Sequence, residues 1–178
     1  MSSKKIETYR TFSSEETKRL GYDIARELVG APSARRNPRH GDVAVRHTAA
    51  VFALQGDLGA GKTTFTQGFL KGLGSKKHVT SPTFVLMRRH ALGGDGSARR
   101  GRKKFKNIFH IDAYRIKKPE HLAALALDEI FNEARNVVLI EWPEQARRIL
   151  PKDAAWIKFK HGKKENERTI TIARAALP

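Results

Sequence analysis

The chain has 178 residues, with 35 lysines and arginines against 18 aspartates and glutamates, a formal charge of +17, 39% hydrophobic residues and no cysteine. This size and apolar fraction suit one domain with its own core over residues 1–178, and the missing thiols exclude a disulfide scaffold, thiolate metal sites, a cysteine nucleophile and any redox motif. No apolar run approaches the roughly 20 residues of a membrane helix, and the opening MSSKKIETYR lacks a signal-peptide core, so the chain reads as cytoplasmic with no membrane partner.

Taken in order, Ser13 with Glu16 forms a capping box, and Leu20, Ile24 and Leu28 recur every four residues, which predicts an amphipathic helix over about 14–29. Residues 31–47 (APSARRNPRHGDVAVRH) are basic, rich in Pro and Arg, and without periodicity, the composition of a solvated insertion. TAAVFALQ (48–55) is a short apolar run without alternation, as in a strand buried on both faces. A second helix follows from Lys62, with Phe65, Phe69, Leu70 and Leu73 on one side and Gly74 placed to end it. Residues 83–89 and 105–112 read as an antiparallel strand pair joined by a second basic insertion, about 93–106 (GGDGSARRGRKKFK). Phe105 alone does not make a base-stacking platform of that insertion. Pro119 opens a further helix, with Leu122, Leu125, Leu127, Ile130 and Phe131 as its apolar face. NVVLIE (136–141) is another fully buried strand, and Pro143 and Pro151 bracket a short helix. Residues 155–160 and 168–173 alternate, with Ile157, Phe159, Ile170 and Ile172 on one face, and predict a terminal hairpin. The expected fold is α/β, a P-loop NTPase-like three-layer arrangement with a mixed central sheet and a C-terminal β-hairpin.

The sharpest motif is GDLGAGKT (56–63), which satisfies G-x-x-x-x-G-K-[ST] between a buried strand and an amphipathic helix. Its glycines let backbone N–H groups converge on a phosphate, and the helix that follows presents its positive dipole end to the same anion. Lys62 is expected to reach the β- and γ-phosphates and Thr63 to place its hydroxyl on magnesium. Magnesium needs a second oxygen ligand at the end of a neighbouring apolar strand, a position that both Asp112 and Glu141 satisfy. The uninterrupted run before Glu141 marks the more central strand, so Glu141 is assigned to the metal. Asp112 then reads either as a water-positioning carboxylate near the γ-phosphate or as the structural ion-pair partner of Arg115. A guanine-reading N-K-x-D element is absent from the sequence, which favours ATP. His110, inside an apolar strand, reads as a hydrogen-bonded core histidine, and Trp142 and Trp156 read as packing residues.

Several segments together resemble one family, the bacterial TsaE ATPases required for making threonylcarbamoyladenosine in tRNA. They are GDLGAGKTTFTQGFLKGLG (56–74), TSPTFVLMRR (80–89), FHIDAYR (109–115) and IEWPE (140–144), with a further echo in SEETKRLG (14–21). The resemblance implies a P-loop ATPase that works with TsaB and TsaD and does not itself transfer the carbamoyl group. It implies a phosphate cradle of Gly59, Ala60, Gly61, Lys62, Thr63 and Thr64, magnesium ligands Thr63 and Glu141, and an active-site acid at Asp112. It also places Thr17 near the base, and 81–84 (SPTF) as a switch-like loop facing the γ-phosphate. Both basic insertions depart from the compact family pattern, and the segment after Pro151 matches only in general character.

Two other readings compete. In a small-molecule kinase, Arg99, Arg100 and Arg102 would clamp phosphates from a mobile lid. In a basic RNA-binding module, the nucleotide site would regulate affinity for RNA.

Overall fold

Strand β5 (Asn136–Glu141) has no polar residue between its first and last positions, and it is buried along its whole length. Such a strand needs neighbours on both edges and cover on both faces, and it has them. The computed structural model of the protein describes residues 5–30, 48–75, 86–92, 105–116 and 125–174. Within these, seven strands form one mixed sheet in the order β1-β7-β6-β2-β5-β4-β3. The other strands are β1 (Lys5–Thr11), β2 (Ala50–Gln55), β3 (Met87–Ala91), β4 (Asn107–Asp112), β6 (Ala155–His161) and β7 (Arg168–Arg174). The centre is parallel, with β2 against β5 and β6 and β4 against β5. The flanks are antiparallel, β3 on β4 at one side and β6–β7–β1 at the other.

Helices α1 (Ser14–Gly30) and α2 (Lys62–Gly72) cover one face. Ile24, Leu28, Phe65 and Phe69 there meet Phe52, Leu54, Leu139, Ile157 and Ile170 of the sheet. Across the sheet, α3 (Leu127–Phe131) and a 3₁₀ turn (Pro143–Ala146) pack on Val51, Ala53, Val138 and Ile140. Helices α1 and α2 touch backbone to backbone, because a methyl group at Gly21 would collide with the Phe65 carbonyl and one at Gly68 with that of Lys18. At the start of the buried strands, Asn107 Nδ2 donates to Asn136 Oδ1 (3.0 Å), whose own Nδ2 donates to the Ile130 carbonyl (3.0 Å), so these buried amides are satisfied.

The first helix forms as its pattern dictates. The Glu16 N–H donates to Ser13 Oγ (3.1 Å), while the Glu16 carboxylate accepts from the Phe12 N–H (2.8 Å), one residue outside the reciprocal bond of an ideal capping box. Just past the end of α2, Gly74 (φ 89°) has a left-handed backbone that lets the Ser75 N–H reach the Leu70 carbonyl at 2.9 Å. The terminal hairpin is present as β6–β7. Two expectations need correction. A helix running unbroken from Pro119 to Phe131 is excluded, because Ala126 has φ 48° and a left-handed residue cannot continue a right-handed helix. Of the strand expected over 83–89, residues 83–85 lie outside the described residues, and the described strand runs over Met87–Ala91, two residues beyond the expected end and after Leu86 with φ 57°. Phe105, which by itself makes no stacking platform, is a core residue, 3% exposed. Strand β1 has no clear signature: KIETYRT carries one aliphatic residue, and that one, Ile6, is 66% exposed. Residues 31–47 and 93–104 of the basic insertions, Pro119 and Leu122 lie outside the described residues. Among the described residues no helix is long and apolar enough to cross a membrane.

Candidate functional site

The loop between β2 and α2 sits at the carboxyl end of the parallel centre, where open α/β sheets gather their ligands. Gly61, at the N-cap of α2, has φ 100°, a conformation in which any side chain is strained, and it offers no side-chain cap to the helix. The first N–H groups of α2 therefore point with the helix dipole into the loop, the arrangement that suits an anion.

Lys62 lies across this loop. Its Nζ donates to the carbonyls of Gly56 (2.7 Å) and Asp57 (2.8 Å) and lies 4.2 Å from the centroid of the Trp142 ring. Burial pushes its ammonium below the ordinary lysine range, against the opposing pull of Glu141, Asp112, Asp57 and Glu144. Trp142 reaches that position through a left-handed backbone (φ 57°) immediately before Pro143, and its indole packs on Tyr114 with ring centroids 4.9 Å apart. A bulky residue in that region is strained, and the strain falls between the acid Glu141 and the 3₁₀ turn.

Glu141 ends β5 and is 3% exposed. Thr63 Oγ1 donates to its carboxylate, 3.1 and 3.2 Å from the two oxygens. On the β4 side, His110 Nε2 lies 2.9 Å from Glu141 Oε1, while His110 Nδ1 is buried with no partner among the described residues. A carboxylate only accepts, so Nε2 carries the proton. In the neutral ring the partnerless Nδ1 is then a lone pair and not an orphaned N–H, the less costly of the two. Asp112 stands beside Glu141 in register on the adjacent parallel strand and is also buried, with Oδ1 held by the Tyr114 N–H at 3.0 Å.

Helix α1 and the terminal hairpin close the loop from outside. Thr17 is buried, its hydroxyl 2.8 Å from that of Thr11, and its methyl would be 3.6 Å from a side-chain carbon on Gly61. Arg168 Nη2 donates to the Gly59 carbonyl (3.1 Å), and His161 Nε2 lies 3.2 Å from the Leu58 carbonyl. His161 and Arg168 face each other across the β6–β7 ladder, so one end of the hairpin fastens the phosphate loop.

The structure thus gathers Thr17, Gly59, Ala60, Gly61, Lys62, Thr63, Asp112 and Glu141 around one loop; Thr64 continues the first turn of α2. Residues 81–84 lie outside the described residues. Composition and spacing do not single out His161 or Arg168, because only the hairpin register brings them to the loop. His110 does carry a signal, as the one titratable residue inside an apolar run. Among the described residues no three His, Asp or Glu side chains cluster as a metal site. Thr63 and Glu141 form an oxygen pair of the sort a hard divalent cation takes, with its other positions left to ligand oxygens and water.

The profile of the family described as threonylcarbamoyl adenosine biosynthesis protein TsaE matches residues 11–170. The chain is similar to the tRNA threonylcarbamoyladenosine biosynthesis protein TsaE of Haemophilus influenzae, 40% identical over 103 residues that cover 58% of each chain. It is 37% identical to the protein of that name from Bacillus subtilis over 142 residues, 76% of this chain and 80% of that one. The chain thus spans little more than half the Haemophilus protein's length and most of the Bacillus one's. Among solved structures, Bacillus subtilis YdiB matches with a TM-score of 0.65 at 28% identity, over 99% of this chain and 90% of that one. By the extent of the profile match and by these relatives, the chain belongs to the TsaE family.

Proposed function

We propose that this chain is a magnesium-dependent ATPase in the formation of threonylcarbamoyladenosine in tRNA, and that it binds and resets a complex of TsaB and TsaD through hydrolysis. The observation that carries the reading is the contact of Thr63 with Glu141, residues 78 apart in sequence that meet at the first turn of α2 within reach of Lys62. A magnesium ion here would supply positive charge to offset that of the phosphates. Thr63 and Glu141 would hold it, and His110 keeps the Glu141 carboxylate turned toward Thr63. Lys62 exchanges its two carbonyl contacts for phosphate oxygens, which are stronger acceptors for a desolvated ammonium. Trp142 keeps that ammonium over the loop. Asp112, fixed beside Glu141, orients the attacking water.

Hydrolysis by the isolated chain is expected to be slow, since switch ATPases commonly complete their sites with a partner. The test is phosphate release from ATP by the purified chain, alone and with TsaB and TsaD, with Lys62→Ala as the blank. Stimulation that disappears in the variant is the expected result. Phosphate appearing on an added metabolite, and not on water, would replace the reading with a kinase. Nucleotide binding without stimulation would remove the resetting role.

A further inference from the structure

Strands β1, β7 and β6 alternate, and the alternation separates their side chains onto two faces of opposite character. Tyr9, Ile157, Phe159, Ile170 and Ile172 turn toward α1 and α2 and join that core. On the other face, register sets Arg10, Thr169 and Lys160 side by side in one row. Thr8, Thr171 and Lys158 form the next, with the two threonine hydroxyls 3.3 Å apart. Thr8, Arg10, Lys158 and Lys160 are exposed. The one acid in these three strands, Glu7, turns the other way and pairs with Lys5 at 3.0 Å. A third row sets Ala173 and exposed Ile6 beside half-buried Trp156, with the Arg147 guanidinium 5.7 Å from the indole ring centroid, a further cation at the margin.

Strands lie about 4.8 Å apart and advance about 3.4 Å per residue, so Arg10 and Lys160 are separated by about 10 Å and Lys158 and Lys160 by about 7 Å. Cations at that spacing without an acid among them repel one another, and a polyanion relieves the repulsion. Exposed lysines with few apolar anchors are the reverse of a protein interface, where lysine is depleted and aromatic residues are enriched. Lysine, arginine and threonine are instead the side chains that contact phosphate oxygens in nucleic acids. We propose that this open face of β1, β7 and β6 binds the phosphate backbone of RNA. The site is separate from the phosphate loop and does not rest on the ATPase reading.

The test is anisotropy of a fluorescent, unmodified tRNA transcript titrated with the full chain over a salt series, without nucleotide. The proteins compared are wild type, a face variant (Arg10→Gln, Lys158→Gln, Lys160→Gln), single Lys160→Glu, and an insertion variant (Arg99→Gln, Arg100→Gln, Arg102→Gln). ATP affinity and melting temperature of each report folding independently of RNA. The expected result for the face variant is a slope of log affinity against log salt that is shallower by about 2 to 3, since each lost phosphate contact removes about 0.7–0.9. Its affinity should fall at least about tenfold near 0.1 M salt, with ATP affinity retained, and Lys160→Glu should reproduce about a third of the slope change. Unchanged slope and affinity in the face variant, loss confined to the insertion variant, or no salt-dependent tRNA binding by the wild type would each overturn the proposal.

Discussion

The two halves of the sheet are built to different rules. Strands β2, β5 and β4 are parallel and sandwiched between helical layers, and they end in Gln55, Glu141 and Asp112 at the loop. Strands β6, β7 and β1 are antiparallel and covered on one face, and they reach the same loop through Arg168 and His161, with Phe159 lining Gly56. The buried half fixes charged groups where water cannot relax around them, which is what the proposed chemistry requires. The open half supplies support for the loop and a free surface.

That division ranks the expected effects of substitution. Lys62→Ala should lower phosphate release roughly 10³-fold, as loss of a preorganised charge at a transferring phosphate does, and a variant that kept its turnover would end the claim that chemistry resides in the buried half. Next comes His110→Leu, which takes the donor from Glu141. Magnesium titrations of hydrolysis should show the half-maximal concentration rising about 10–100-fold, the usual cost of losing a partner behind a metal ligand, with part of it restored by His110→Gln. An unshifted titration would make His110 a packing residue only. Gly68→Ala tests the helical layer shared by both halves: the added methyl meets the Lys18 carbonyl, and urea unfolding should report a loss of about 1–3 kcal/mol. Arg168→Ala should have the smallest effect. Losing one charged hydrogen bond at a partly exposed site should weaken nucleotide binding about 3–10-fold by calorimetry, and an effect as large as that of Lys62→Ala would erase the distinction between the halves.

Legibility in the sequence follows the same line. NVVLIE announces a doubly buried strand because such a strand has no polar face to show, and the glycine-lysine-threonine loop announces itself because few backbones can fold that way. The acids that close β4 and β5 are tied to that loop by their place after apolar runs, and they stand side by side next to it. The hairpin is visible through its alternation, yet its role at the loop is not, since Arg168 and His161 are ordinary strand-end residues until the register brings them together. Strand β1 is illegible because an edge strand with one covered face needs little apolar content, and Tyr9 with buried Thr11 is all it contributes. The break at Ala126 is equally hidden: alanine favours helix locally, and the surrounding structure overrides that preference.

The clamp on the phosphate loop also has a consequence in time. Arg168 follows Gly59 by 109 positions, so a ribosome completes the whole glycine-lysine-threonine motif long before it makes the side chain that secures it. A nascent chain that already displays the full signature lacks β6, which lines Gly56, and the hairpin end that grips Gly59. The closed loop is therefore a product of late synthesis: translation stalled before the hairpin would leave a recognisable motif without the contacts that secure it.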